Sequence, residues 1–141
     1  MKVTLVNEEL LPVPPFLGGP VEQLIFETAV SIQNPDLTVI SPTAEAMPEQ
    51  TFFPSEKFYH VDIAAEAARA QSALGKQLPP GLSDPTTSTF FYYLNGATNI
   101  LHAIDPDVIE IHNRPEFVPY MVNQFPTKRI VLYMHNEPRV W

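Results

Sequence analysis

The sequence predicts a single three-layer α/β domain built on a parallel sheet, and three observations favour that fold class. Short apolar runs alternate with segments whose apolar residues recur every three or four positions, as expected of strands joined by helical crossovers. The strand-like runs are apolar almost throughout, which is typical of sheets covered on both faces. The chain has 141 residues, 45% of them hydrophobic, which is enough for one packed core.

The first part of the chain is predicted to form a strand, a helix and a second strand. Residues 2–7, KVTLVN, are an apolar run bounded by turn residues. A helix is predicted from Pro20, which suits a first helical turn, to the Asn34-Pro35 pair that stops it. Residues 37–41, LTVIS, form the second predicted strand. The expected buried stripe of the helix consists of Val21, Leu24, Ile25, Thr28, Ala29 and Ile32.

The middle of the chain has the weakest pattern. A third strand is predicted at 58–63, FYHVDI, followed by an alanine-rich, helix-prone segment at 64–76. Asp84 is a suitable N-cap for a further helix that starts at Pro85. The expected buried stripe of that helix consists of Phe90, Leu94, Ala97, Leu101 and Ile104.

Two later segments share one pattern, an apolar run that ends in His-Asn. They predict strands at 107–112, within DVIEIHN, and at 129–135, within RIVLYMHN. A short helix is predicted between them, started by Pro115, with an apolar stripe of Phe117, Val118, Met121, Val122 and Phe125. The strand at 129–135 is expected to have an unpaired edge, which is a template for pairing with another chain, so we expect a homodimer or a covering of that edge.

Composition and charge exclude several classes of protein. Sixteen acidic and eight basic residues give a net charge of −8, which disfavours nucleic-acid binding because that binding depends on neutralising phosphates. No cysteine is present, so disulfides, thiol catalysis and thiolate metal sites are excluded. No run approaches the ~18 apolar residues of a membrane span, and the first residues do not resemble a signal peptide. We therefore expect a cytoplasmic protein without a membrane span.

Candidate functional residues follow three of the predicted strands. Ligands of open parallel sheets bind at the carboxyl ends of the strands, in the crevice where the strand order reverses. The first and fourth strands are neighbours at that point in doubly wound sheets, so we expect their loops to converge. Three short segments supply the candidates: Gly18-Gly19, His112-Asn113-Arg114 and His135-Asn136-Glu137.

Each candidate has a functional and a simpler interpretation. The double glycine can let a ligand or phosphate approach backbone N–H groups at a helix N-terminus, or can only form a turn. Neither G-x-G-x-x-G nor G-x-x-x-x-G-K-[ST] is present, which argues against simple NAD or ATP binding. His112 and His135 can donate hydrogen bonds or carry protons, or can be partly buried structural residues. A metal pair with Glu110 or Glu137 would need a third convergent ligand, so no metal and no cofactor is predicted.

Three segments together resemble a known enzyme family. MKVTLVNEELLPVPPFLGGPVEQLI, VIEIHNRPEFVP and VLYMHNEP look like the N-terminal half of family 4 retaining glycosyltransferases of the GT-B fold, most closely the bacterial spore-coat type. The likeness covers the start and the end of the chain, whereas the segment from Ala46 to Ser88 matches nothing in that family.

The resemblance implies one Rossmann-like half of an enzyme that transfers a sugar from a nucleotide-sugar donor with retention, as in polysaccharide biosynthesis. In such enzymes the N-terminal half mainly holds the acceptor, a sugar or glycan, and the C-terminal half holds the donor. By the match, Gly18 and Gly19 line the cleft near the donor diphosphate, and His135 is the catalytic residue, which contacts the transferred sugar. The residues expected to bind substrate beside them are His112, Asn113, Arg114, Asn136 and Glu137.

The donor half of that family, with its Glu-x7-Glu motif and basic phosphate-binding residues, is not in this sequence. We therefore expect residues 1–141 to be one N-terminal domain of a hexosyltransferase, inactive alone. An acidic chain with few basic residues agrees with that division, because it is poorly equipped to hold a diphosphate. Two alternatives remain: a flavodoxin-like ligand-binding or interaction domain with structural histidines, and a metal-dependent hydrolase built on Glu110, His112 and His135.

Overall fold

A computed structural model describes residues 1–43, 57–74 and 85–135. The described residues form a five-stranded parallel sheet with helices on both faces, which confirms the predicted α/β fold class. The strands are β1 (Val3–Val6), β2 (Leu37–Pro42), β3 (Phe58–Val61), β4 (Val108–His112) and β5 (Arg129–Tyr133). The helices are α1 (Pro20–Ser31), α2 (Ile63–Leu74), α3 (Pro85–Ile104) and α4 (Phe117–Gln124).

The strand order, β3-β2-β1-β4-β5, reverses next to the first strand. From β1 the chain moves outward to β2 and β3, then crosses back to β4 on the other side of β1. In the middle of the sheet Leu5 is therefore paired with Val39 on one side and with Glu110 on the other. The predicted convergence of the loops after the first and fourth strands is confirmed, because β1 and β4 are direct neighbours.

Each face of the sheet has its own apolar core. On one face α3 and α4 bury side chains such as Tyr93, Leu101 and Met121 against Val6 and Ile111. On the other face, α1 packs Ile25 and Ala29 against a second cluster that includes Leu5, Leu37, Val39 and Phe58. Each fully buried aliphatic or aromatic side chain of these cores contributes about 1.5–3 kcal/mol.

The buried stripe predicted for α1 is only partly correct. Ile25 and Ala29 are buried, but Leu24 and Ile32 are 44% and 47% exposed. These two side chains line an open groove of about 280 Å³ that runs from α1 to Glu110 and Tyr133 of β4 and β5. The apolar stripe of α1 is wider than the part of the helix that packs on the sheet. Among the described residues, α1 covers the β1–β3 half of this face of the sheet, and no helix covers the other half.

Other boundaries differ by a few residues. The third strand ends at Val61 rather than at residue 63, because Ile63 already begins α2. Val122, predicted in the stripe of α4, is half exposed, since only Phe117 and Met121 of that helix are fully buried. The predicted N-cap Asp84 lies outside the described residues.

Strand β5 lies at the edge of the sheet and pairs only with β4 among the described residues. Its Val131, Leu132 and Tyr133 are each more than one third exposed. The predicted open edge is thus present in the described part of the chain, while the homodimer stays a prediction.

Among the described residues, no helix combines the length and the apolar character needed to cross a bilayer.

Candidate functional site

The crevice begins at Asn7, the residue that follows β1. Its side chain is fully buried, and its amide nitrogen donates to the Leu11 carbonyl at 3.0 Å and to Glu22 Oε2 at 3.1 Å. The backbone carbonyl of Asn7 accepts a 2.7 Å hydrogen bond from the Tyr93 hydroxyl of α3. Asn7 therefore joins the end of β1 to both helical layers and fixes the direction in which the chain leaves the sheet.

The proline-rich segment after Asn7 is held against β2 and β3. The Val13 N–H donates to Ser41 Oγ at 2.9 Å, and His60 Nε2 lies 2.8 Å from the Val13 carbonyl. Burial lowers the pKa of His60, although its bond to the Val13 carbonyl acts in the opposite direction. A neutral His60 that donates through Nε2 fits this position, since the carbonyl can only accept.

The double glycine forms the turn into α1, and its conformation requires glycine. Gly18 and Gly19 have φ angles of +86° and +102°, a region that side-chain-bearing residues rarely adopt. A Cβ atom on Gly19 would also overlap the Glu22 carboxylate and lie 3.0 Å from Leu11 Cδ1, whereas one on Gly18 would meet open space. The turn interpretation is therefore correct for both residues, whatever else they do.

The Glu22 carboxylate fills the first turn of α1. Glu22 is only 5% exposed, and burial raises its pKa, while the bond from Asn7 partly offsets that effect. A carboxylate is stabilised there because the free N–H groups at a helix N-terminus carry partial positive charge. The same position would suit a phosphate, but a phosphate placed there would now meet a like charge from the chain itself.

Two side chains at the end of β4 are bound to acidic residues at the end of β1. Asn113, which has a positive φ of +59°, donates through its amide to Glu8 Oε1. Arg114 binds both Glu9 carboxylate oxygens, at 2.9 and 3.0 Å, and these bonds raise the pKa of its guanidinium. Bidentate pairs of this kind fix geometry as well as charge. The loops predicted to converge are therefore directly linked.

His112 and His135 form a pair at the ends of β4 and β5. Nδ1 of His112 lies 2.9 Å from Nε2 of His135, and the two rings stack with centroids 5.1 Å apart. The Tyr133 ring packs against both, at 5.4 and 4.7 Å. Burial, followed by the neighbouring His112, lowers the pKa of His135. The sequence predicted that both histidines end strands. His112 does end β4, but β5 ends at Tyr133 rather than at residue 135, so His135 lies two residues beyond the strand, where its ring meets that of His112.

Glu110 lies on the same face of β4 as His112. Its Oε1 atom is 3.4 Å from His112 Nε2, a distance too long for a well-made hydrogen bond. His112 is only 6% exposed, and Nε2 completes no hydrogen bond with any described residue. The contact with His112 nevertheless lowers the pKa of Glu110. The contact between Glu110 and His112 is therefore electrostatic, and it favours the ionised carboxylate.

The structure brings together most of the residues that the sequence singled out. One series of contacts runs from Gly19 through Glu22 and Asn7 to the end of β1, and Glu8 and Glu9 continue it to β4. Asn136 and Glu137 lie outside the described residues. The sequence prediction missed Glu8, Glu9 and Glu22, although Glu8 and Glu9 directly follow a strand and could have been found by that position.

The charge of this crevice is mainly negative. Among the described residues of the crevice, Glu8, Glu9, Glu22 and Glu110 supply carboxylates, and the permanent positive charge of Arg114 is already paired with Glu8 and Glu9. No group of three or more His, Asp or Glu side chains in the described ranges is arranged to hold a metal ion, so the hydrolase alternative finds no metal centre there. Such a surface favours a neutral or cationic ligand over a phosphate.

No protein-family model and no curated protein matches this chain. A function has therefore to be inferred from the geometry of the strand-end crevice and from the sequence motifs.

Proposed function

We propose that the strand-end crevice binds a sugar acceptor, and that the chain is the acceptor-side half of a retaining glycosyltransferase. The observation that carries this proposal is the grouping of the His112–His135 pair with the Glu8–Asn113 and Glu9–Arg114 links at one end of the sheet. The three motifs that resemble the family supply all three strand ends that form this group. The motifs and the contacts thus point to the same surface as the ligand-binding site.

The chemistry of the crevice suits a neutral, hydroxyl-rich ligand. Carboxylates, an amide and imidazoles accept and donate hydrogen bonds in the planar geometries that pairs of sugar hydroxyls can meet. The half-exposed ring of Tyr133 supplies an apolar surface beside them. By contrast, the carboxylates around the double glycine oppose a diphosphate, so we assign donor binding mainly to residues beyond this chain.

The proposed reaction depends more on the positions of hydrogen-bonding groups than on a strong base. In sugar transfer the bond from C1 to the diphosphate oxygen breaks and its electron pair leaves with the nucleoside diphosphate. The acceptor oxygen bonds to C1, and the acceptor proton passes to the leaving phosphate or to a nearby base. Positioned hydrogen bonds that support charge in the transition state supply several kcal/mol in such sites. His135, half-buried and neutral at pH 7, is the residue we assign to that role.

The experiment compares transfer and stability in a His135→Ala variant. A full-length parent protein that contains both halves is assayed with a panel of nucleotide sugars and simple glycoside acceptors, and its melting temperature is recorded in parallel. Turnover should fall ~10²-fold or more while melting changes little, because a half-buried strand-end side chain contributes little to the core. His102→Ala on the exposed side of α3 is the matched control. Unchanged turnover per folded molecule in His135→Ala would show that the histidine is structural.

Binding of a small ligand without transfer is the outcome that favours the alternative. A flavodoxin-like binding domain would bind a ligand in the same crevice, since the strand order reverses there in either case. It would show no transfer with any nucleotide sugar, and neither glycoside binding nor transfer would depend on His135. Glycoside binding measured by calorimetry on the wild-type and His135→Ala chains therefore separates the two.

A further inference from the structure

Two side chains of β4 and one from the segment just after β5 form a connected series that leads out of the sheet. Glu110 Oε1 lies 3.4 Å from His112 Nε2, and His112 Nδ1 lies 2.9 Å from His135 Nε2. Register places Tyr133 opposite His112 in the β4–β5 pair, where its ring covers both imidazoles. The series starts at a half-buried carboxylate, passes through a buried ring and ends at a half-exposed ring.

The buried end of the series determines where the protons lie. His112 Nε2 is enclosed, and Glu110 supplies the carboxylate that faces it. If Nε2 lacked a proton, its lone pair would face the Glu110 carboxylate from an enclosed position, which is unfavourable because both groups would be acceptors. Nε2 of His112 therefore carries the proton, and in a neutral imidazole Nδ1 is then the acceptor. The 2.9 Å contact is accordingly a bond in which His135 Nε2 donates.

We propose that Glu110 and His112 position and polarise His135 so that it offers a proton-free Nδ1 to a hydroxyl group of the ligand. Nε2 of His135 is used in the bond to His112, and Nδ1 makes no hydrogen bond with a described residue and is not enclosed. That the hydroxyl belongs to a sugar rests on the proposed function. Glu110 and His112 act through His135 and are positioning residues.

The series also makes hydroxyl binding depend on pH. The groups that face His135 are His112 and Glu110 of β4, Tyr133 of β5, and Glu8 after β1. Burial and His112 lower the pKa of His135, and the two carboxylates oppose that shift. The acceptor form therefore predominates at neutral pH. It is lost on acidification below the ordinary histidine value of about 6.5, when Nδ1 gains a proton.

The test is nitrogen NMR of the histidine rings in the isotope-labelled chain. At pH 7.5 we expect His135 to show a protonated Nε2 and an unprotonated Nδ1, and His112 the same pattern. A proton on His112 Nδ1, either in the reversed bond or in a doubly protonated His112, would overturn the proposal. Assignment uses the signals that disappear in His112→Gln and His135→Gln variants.

Variants of Glu110 test whether the carboxylate sets this arrangement. In Glu110→Ala the buried Nε2 loses the carboxylate that faces it, so the bond between the rings should populate both directions and average the ring-nitrogen shifts. The titration midpoint of His135 should also move to lower pH, because one opposing carboxylate is gone. Glu110→Gln, which keeps the shape of the side chain, should lower the midpoint in the same way. Glu116→Ala, an exposed carboxylate at the start of α4, is the matched control and should change neither reading.

An unchanged nitrogen pattern together with an unchanged midpoint in both Glu110 variants would remove Glu110 from the proposal. Binding of a methyl glycoside is measured separately at pH 7.5 and at a pH below the His135 midpoint, with an expected loss of about tenfold at the lower pH. If the ring pattern is as expected but no glycoside binds, the positioning role stands and the proposed function fails. If glycosides bind with the ring pattern reversed, only the positioning role fails.

Discussion

Replacing Gly19 by alanine would place a methyl group against the carboxylate that fills the first turn of α1. The backbone cost of a φ near +102° is about 1–3 kcal/mol for a residue with a side chain. Contact with Glu22 and Leu11 adds about 1–3 kcal/mol of overpacking. We expect the free energy of unfolding to fall by about 4 kcal/mol, which lowers the melting temperature by roughly 12 °C for a chain of this size.

Gly18→Ala is the matched control, because its Cβ would meet no atom within 4 Å. It carries the backbone cost alone, about 2 kcal/mol, so urea denaturation should separate the two variants by about 2 kcal/mol. Adding Glu22→Ala to Gly19→Ala should recover most of that difference, as a coupling of about 2 kcal/mol in the double-mutant cycle. Two outcomes would refute the assignment of Glu22 to this turn. One is an equal loss of unfolding free energy in Gly18→Ala and Gly19→Ala, and the other is a loss in the double variant that equals the sum of the losses in its single variants.

Three further predictions concern the supports of the crevice. Tyr93→Phe should lose about 1–2 kcal/mol in urea denaturation, because the buried Asn7 carbonyl loses its donor; a loss no larger than in exposed Tyr59→Phe would contradict this. Glu22→Gln should melt above the wild type at pH 7, since the raised pKa of Glu22 means that its ionised form is disfavoured in the fold. That advantage should shrink as pH falls through the raised pKa, and a constant difference would be inconsistent with it. Wild-type stability should fall on acidification from about pH 6.5, where the unfolded chain binds more protons than a folded His60 with a lowered pKa, and His60→Asn should reduce that slope.

Local patterns were enough to predict the elements of the fold. The apolar runs at residues 2–7 and 107–112 predict β1 and β4 within one or two residues. They do so because strands of a parallel sheet that is covered on both faces are apolar almost throughout. The spacing of apolar residues likewise predicts α3 and α4. Adjacency of β1 and β4 followed from the crossover rules for such sheets, without any pairing signal in the sequence.

Features that depend on distant contacts could not be predicted in this way. The exposure of Leu24 and Ile32 depends on which half of the sheet lacks a helix, and an amphipathic stripe does not contain that information. Burial of Glu22 depends on an amide fifteen positions away, and an acidic residue in a first helical turn is ordinarily solvated. The bond between Asn113 and Glu8 spans 105 positions, so only the fold brings the pair together.

The most direct test of the central claim is an amide NMR titration of the wild-type chain with neutral methyl glycosides and, in parallel, with inorganic pyrophosphate. We predict that a glycoside shifts the amides of the crevice, residues 7–9, 18, 19, 21, 22, 112–114 and 135, while pyrophosphate leaves them unchanged because the crevice is acidic. Shifts at Gly18 and Gly19 with pyrophosphate and none with any glycoside would contradict the account, since the crevice would then be an anion site rather than a sugar site.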